Sequence, residues 1–144
     1  MNKSGPIIVI EDDPDDQEIL SEIFERLGYK NQIRFFFDGE KALDYINETD
    51  VVPFLILSDI NMPRLSGLDL KKKIQTDARL QVKCIPYLFF TTAADKKTVV
   101  DAYSVSAQGF FIKDHSTSEL EKTLRIMIEY WLRCYAPNQF TTVD

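Results

Sequence analysis

Five short apolar runs punctuate the chain, at residues 6–10, 33–37, 54–57, 85–90 and 110–112. Runs of this length without strict polar alternation predict strands buried on both faces of a sheet. Arg34 interrupts the second run and fits an edge position. Between the runs the apolar spacing turns helical. Ile19, Leu20, Ile23, Phe24 and Leu27 share one face, with Asp13-Pro14 placed as cap and first turn and Gly28 as the stop. Shorter helices are expected over 39–47 (Ala42, Leu43 and Ile46 inward), 68–77 (Leu70 and Ile74) and 96–103 (Val99, Ala102 and Tyr103). A last helix runs to about Tyr135, and Ser116 with Glu119, or Ser118 with Glu121, offers its capping box. Strand and helix thus alternate five times. That order predicts a doubly wound α/β domain, a five-stranded parallel sheet between two helix layers with right-handed crossovers.

Composition narrows the class without changing it. At 144 residues, 44% hydrophobic and 28% charged, the chain has the makings of one globular domain and not of a disordered segment. A net charge of −6 argues against a phosphate-backbone binder, so no nucleic acid is expected as partner. Cys84 and Cys134 stand 50 residues apart with His115 as the single histidine, a set that builds neither a zinc site nor a disulfide framework. No apolar stretch approaches the length of a membrane span, and residues 1–6 lack the pattern of a secretory leader. A cytoplasmic protein without a membrane partner is expected.

Ligands of open α/β sheets bind beyond the carboxyl ends of the strands. There the first run ends in Glu11-Asp12-Asp13, the third in Ser58-Asp59, the fourth in Thr91-Thr92 and the fifth in Lys113. Carboxylates of Glu11, Asp12 and Asp59 crowded at neighbouring strand ends would repel unless a cation joined them. A hard divalent ion such as Mg²⁺, which takes carboxylate, water and phosphate oxygens, resolves that conflict. A solvated acidic loop serving the first helix accounts for Asp13, Asp15 and Asp16, but not for Asp59. Lys113 and Thr91 add a cation and a hydroxyl of the kind a phosphoryl group needs.

The string Ile7 to Pro14, then Leu57-Ser58-Asp59-Ile60-Asn61-Met62-Pro63 with Gly67 and Leu68, then Thr91, then Lys113, resembles the CheY-like response-regulator receiver domain of two-component signalling. The likeness covers residues 6 to about 135, with 136–144 as a short tail, and implies one receiver unit over 1–144 that acts by protein contact. It implies the flavodoxin-like strand order 2-1-3-4-5 with five helices. It further implies Asp59 as phosphoacceptor from a sensor histidine kinase or histidine phosphotransfer protein, with Mg²⁺ (or Mn²⁺) held by Glu11, Asp12, Asp59 and the backbone carbonyl of Asn61. Lys113 and Thr91 would meet the phosphoryl oxygens, and Phe110 matches the aromatic switch position. Self-phosphorylation and self-dephosphorylation would be its only chemistry, which makes it a signalling phosphoacceptor and not an enzyme.

One position departs from the family pattern. Asp114 follows the lysine where a proline is usual, so a trans Lys113–Asp114 bond is expected, with a carboxylate able to compete for Lys113. The last helix carries Leu120, Leu124, Met127, Ile128, Trp131, Leu132 and Tyr135, and with Ile126 and Tyr130 its apolar residues cover more than one stripe, a surplus that suggests a homodimer through this helix. Tyr130-Trp131-Leu132 and the segment 77–80 resemble regulators partnered with phytochrome-like kinases. The alternative is a pseudo-receiver, an interaction module without phosphorylation. A flavodoxin-like electron carrier is excluded because Glu11-Asp12-Asp13 would repel a flavin phosphate, and Asn61, standing where its second acid would be, argues against an aspartate-based phosphatase.

Overall fold

The computed structural model describes residues 1–92 and 94–139. In chain order the elements are β1 (Ile7–Ile10), α1 (Pro14–Leu27), β2 (Ile33–Phe36), α2 (Gly39–Glu48), β3 (Leu55–Ser58), α3 (Gly67–Thr76), α4 (Ala78–Gln81), β4 (Tyr87–Thr91), α5 (Lys96–Ser104), β5 (Gly109–Ile112) and α6 (Thr117–Arg133), followed by a 3-10 turn at Pro137–Gln139. All strand pairs are parallel, in the order β2-β1-β3-β4-β5. Residues 140–144 of the expected tail lie outside the described residues.

Period-two alternation along each strand divides the core into two layers. Ile7, Val9, Leu55, Leu57, Leu88 and Phe90 face α1 and α6, where they meet Leu20, Ile23, Leu124 and Ile128. Ile8, Ile10, Ile56, Tyr87 and Phe89 face the other way, against Ala42, Ile46, Leu70, Ile74 and Ala102 of α2, α3 and α5. Burial on both faces holds for β1, β3 and β4, whereas β2 and β5 are only partly covered because each has a sheet neighbour on one side alone. On the β2 edge the Arg34 guanidinium lies 4.4 Å from the centre of the Tyr45 ring.

Helix ends follow local chemistry. Asp13 caps α1 by accepting from the N–H groups of Asp15 and Asp16, Pro14 stands in the first turn, and Gly28 closes the helix at φ 71°. Ser116 caps α6 by accepting from the Glu119 N–H at 3.3 Å. Glu121, the acid of the other box, instead pairs with Arg26 of α1 at 2.8 Å. The five expected long helices are joined by a short sixth, α4, four residues held by an Asp77 cap on the Arg79 N–H. Strand β4 begins at Tyr87 and not at residue 85, since Pro86 has no N–H for the ladder. α6 ends at Arg133, two residues short of expectation, where Cys134 turns extended.

Candidate functional site

The sheet order sets Glu11, Asp59, Thr91 and Lys113 side by side at one edge, and each backbone is tied there by a continuation of the ladder. Glu11 N–H donates to Phe36 O at 2.9 Å, Asp59 N–H to Ile10 O at 3.0 Å and Lys113 N–H to Thr91 O at 2.7 Å. Gln17 of α1 donates its amide to Glu11 O at 2.8 Å, which braces the first acid from the helix side. Asp59 accepts from its neighbour's N–H, that of Ile60, at 2.7 Å, and its own carbonyl accepts from Ser58 Oγ at 2.6 Å. Gly67 opens α3 against that carbonyl: a Cβ there would stand 2.1 Å from Asp59 O. Only glycine permits this approach of α3 to the end of β3.

One carboxylate oxygen from each of Glu11, Asp12 and Asp59 lies within 4.8 Å of the others, with Glu11 buried, Asp59 half-buried and Asp12 exposed. Oxygens on opposite sides of one Mg²⁺ stand about 4.2 Å apart, so the trio spans little more than a single ion's coordination sphere. The donor set, hard and acidic with one arm open to solvent, fits such an ion. Asn61 sits two residues beyond Asp59 in the loop to α3 and is exposed.

Lys113 is the charge that offsets these acids. Its ammonium pairs with Glu11 and lies 3.6 Å from Asp59 Oδ2 and 3.4 Å from Asp16 Oδ2. Burial pushes the Glu11 carboxyl up to about 7, with the Lys113 ammonium pulling it down and the Asp59 charge adding to the rise. Burial works against the Lys113 ammonium too, but Glu11, Asp59 and Asp16 outweigh it and hold the lysine above its ordinary value. Asp16 was read from sequence only as an acid at the helix N-terminus. Its reach to Lys113 was missed, although its place one turn into α1, facing the strand ends, is the signal that would have found it.

Thr91 is buried at the end of β4. A cavity of about 150 Å³ opens beside Lys113, lined by Asp16, Thr92, Asp114 and His115. Phe110 is half-buried, its ring centroid 6.2 Å from that of Phe89. No cis peptide occurs among the described residues, so the Lys113–Asp114 bond is trans. Asp114 does not compete for the lysine: its carboxylate accepts from the Ser116 N–H at 2.8 Å and shapes the turn into α6. Both cysteines are free.

A doubly wound sheet with Glu11, Asp12, Asp16 and Asp59 gathered around Lys113 at its carboxyl edge defines a flavodoxin-like module with a charged pocket. The response regulator receiver domain model matches residues 7–125, which include every one of these side chains. The chain belongs to that family. It is 30% identical over 130 residues to the probable methanogenesis regulatory protein FilR2 of Methanothrix harundinacea, covering 88% of this chain and 83% of that protein. Chemotaxis protein CheY1 of Helicobacter pylori is 28% identical over 124 residues, with 85% and 95% covered. Among solved structures, the phosphorylated cyanobacterial phytochrome response regulator RcpA superposes with a TM-score of 0.82 at 22% identity, over 92% of this chain and 97% of that one. Response regulator RPA3017 in red light signaling of R. palustris gives 0.79 at 27% identity, over 92% and 98%.

Proposed function

We propose that this receiver is switched by phosphorylation of Asp59. The observation that carries the reading is the convergence of Glu11, Asp12 and Asp59 within 4.8 Å, countered by the Lys113 ammonium. The donor is a phosphohistidine on a histidine kinase or phosphotransfer protein. An Asp59 oxygen attacks phosphorus, the phosphorus–nitrogen bond breaks, and its electron pair leaves on the imidazole, which takes up a proton. Glu11, Asp12, Asp59 and the Asn61 carbonyl would hold Mg²⁺ or Mn²⁺, which supplies positive charge for the phosphoryl oxygens. Lys113 and Thr91 meet the remaining oxygens. As the phosphoryl group draws Lys113 and Thr91 toward it, the loops bearing them shift and Phe110 responds by repacking against Phe89.

The chain's own chemistry is confined to gaining and losing this group, so its role is that of a signalling phosphoacceptor in the cytoplasm and not of an enzyme with a separate substrate. Output goes through protein contact. A second copy is one such contact: Ile126 and Tyr130 of α6 are each more than half exposed and line, with Phe111 and Trp131, an apolar groove on the α6 side of the sheet.

Incubation with Mg²⁺ and a small acyl phosphate, followed by intact mass, tests the proposal. One added phosphoryl group, absent in Asp59→Asn and after EDTA, is expected. A folded protein that gains nothing would overturn it in favour of a receiver fold used without phosphorylation.

A further inference from the structure

At the opposite end of the sheet, a cavity of about 360 Å³ lies where α3, α4 and the starts of β4 and β5 meet. Lys71 of α3 lines it and is only 7% exposed. Among the described residues its ammonium has neither a hydrogen-bond nor an ion-pair partner, and burial, with no acid nearby to oppose it, holds its pKa below the ordinary lysine value. No buried side-chain nitrogen or oxygen of the described residues lacks a partner, so it is the stem of Lys71 that is covered, and its ammonium opens into the cavity without a counter-charge. Among the described residues no Asp or Glu lines this cavity, even in a chain of net charge −6.

The rest of the lining is of two kinds. Ile74, Leu80, Ile85, Pro86 and Trp131 supply an apolar wall. Gln75, Ser106 and Gln108 supply polar groups; Gln108 spends its carbonyl oxygen on the Tyr87 N–H at 2.8 Å, which leaves its amide N–H groups to donate. One fixed cation, amide donors and an apolar wall within this volume suit a small molecule with one anionic end and one apolar end.

The geometry points to a second binding site, for a small organic carboxylate whose anion pairs with Lys71 and whose apolar body lies against Trp131, Ile85 and Pro86. The site shares no residue with the pocket around Asp59 and does not depend on phosphorylation.

Benzoate is the probe, followed by the NMR shifts of the Trp131 indole and the Lys71 side chain. Saturable shifts at or below millimolar benzoate are expected. Benzamide, equal in shape and neutral, should bind about tenfold more weakly or worse, as loss of a charge-assisted contact predicts. Inorganic phosphate should also bind more weakly, since it leaves the apolar wall unused. Lys71→Met should lose benzoate binding to the same degree while melting at or above the parent's temperature, because it keeps the apolar stem and removes no hydrogen bond or ion pair. Absence of saturable shifts in the folded parent, or equal binding of benzoate and benzamide, would overturn the site. Phosphate binding as tightly as benzoate would overturn its assignment to an organic anion. The benzamide comparison uses the parent protein and so does not depend on the variant's folding.

Discussion

Lys113→Met removes the one cation set among Glu11, Asp16 and Asp59. The Lys113 and Glu11 side chains are 6% and 3% exposed, so their pair is a buried one. Removing one partner of such a pair costs about 3–5 kcal/mol, because the other charge stays buried and uncompensated. With an unfolding entropy of about 2.1 cal/mol/K per residue, 144 residues give about 0.3 kcal/mol/K, and the loss becomes a fall in Tm of about 10–17 °C. The fall should depend on pH. Glu11 titrates in the folded protein at about 7, above its value of 4.5 when free, so its contribution to stability is whole below 4.5 and is lost as pH rises through 7. Without Lys113 the folded pKa rises further and the loss steepens. Scanning calorimetry in metal-free buffer should therefore show a small deficit near pH 5 that widens above pH 7, where the parent's Glu11 is ionised and the variant's is not, by at most about 1.4 kcal/mol for each pH unit. Mg²⁺ at a hundredfold over its Kd should then restore about 2.7 kcal/mol near pH 8, by giving the acids another cation. A deficit that is flat across this range, or a variant as stable as the parent near pH 8, would refute the assignment of Lys113 as the charge that makes the acidic cluster tolerable.

Other perturbations probe the surroundings of the site. Gly67→Ala places a methyl 2.1 Å from Asp59 O and 3.0 Å from Ser58 Oγ, and overpacking of this kind costs about 1–3 kcal/mol; urea unfolding should show that loss together with slower phosphorylation of Asp59, and an unchanged midpoint would contradict the close approach. Asp38 is buried, caps α2 through the Lys41 N–H at 2.8 Å and accepts from Arg64 at 2.9 Å. Asp38→Ala should cost about 1–2 kcal/mol through the lost cap, whereas Arg64→Ala, on a largely exposed side chain, should cost about 0.5 kcal/mol or less; equal losses would show that the ion pair and not the cap matters. Burial and the Glu129 carboxylate, which accepts from its hydroxyl at 2.8 Å, push Tyr29 up to about 12. Its ring resonances should titrate there and shift to lower pH in Glu129→Gln, and titration at the free value of 10 in the parent would contradict the contact.

Most of the architecture was readable because the three central strands are continuous apolar runs and their helices carry one clear stripe each. Edges and ends were less so. Nothing in a run such as 33–37 distinguishes a strand with two sheet neighbours from one with a single neighbour, so the half-exposed β2 was signalled only by Arg34. The four residues of α4 are too few to show a period of 3.6, and what holds them is a side-chain cap from Asp77, a feature shared with many turns. The acidic pocket was legible for a different reason. Its members stand at the last positions of separate strands, and a parallel sheet brings all such positions to one edge whatever the registers in between.

Asp16 and Lys71 mark where that logic stops. Both are charged residues on helices, where sequence offers only a face, and a face says nothing about which neighbour lies across from it. Asp16 satisfied a complete local account, as an acid near a helix N-terminus, and the account hid its 3.4 Å approach to a lysine 97 positions away. Lys71 begins a run of three lysines that reads as solvated, and Leu70 and Ile74 already supply an apolar stripe. Which lysine of the three is buried depends on the angle at which α3 settles against β4 and on the loop that brings Ser106 and Gln108 across from it, and both are tertiary quantities. The two cases differ in outcome. Among the described residues Asp16 has its counter-charge and Lys71 has none, and a cation without a pair there is the more informative for having no structural task to explain it.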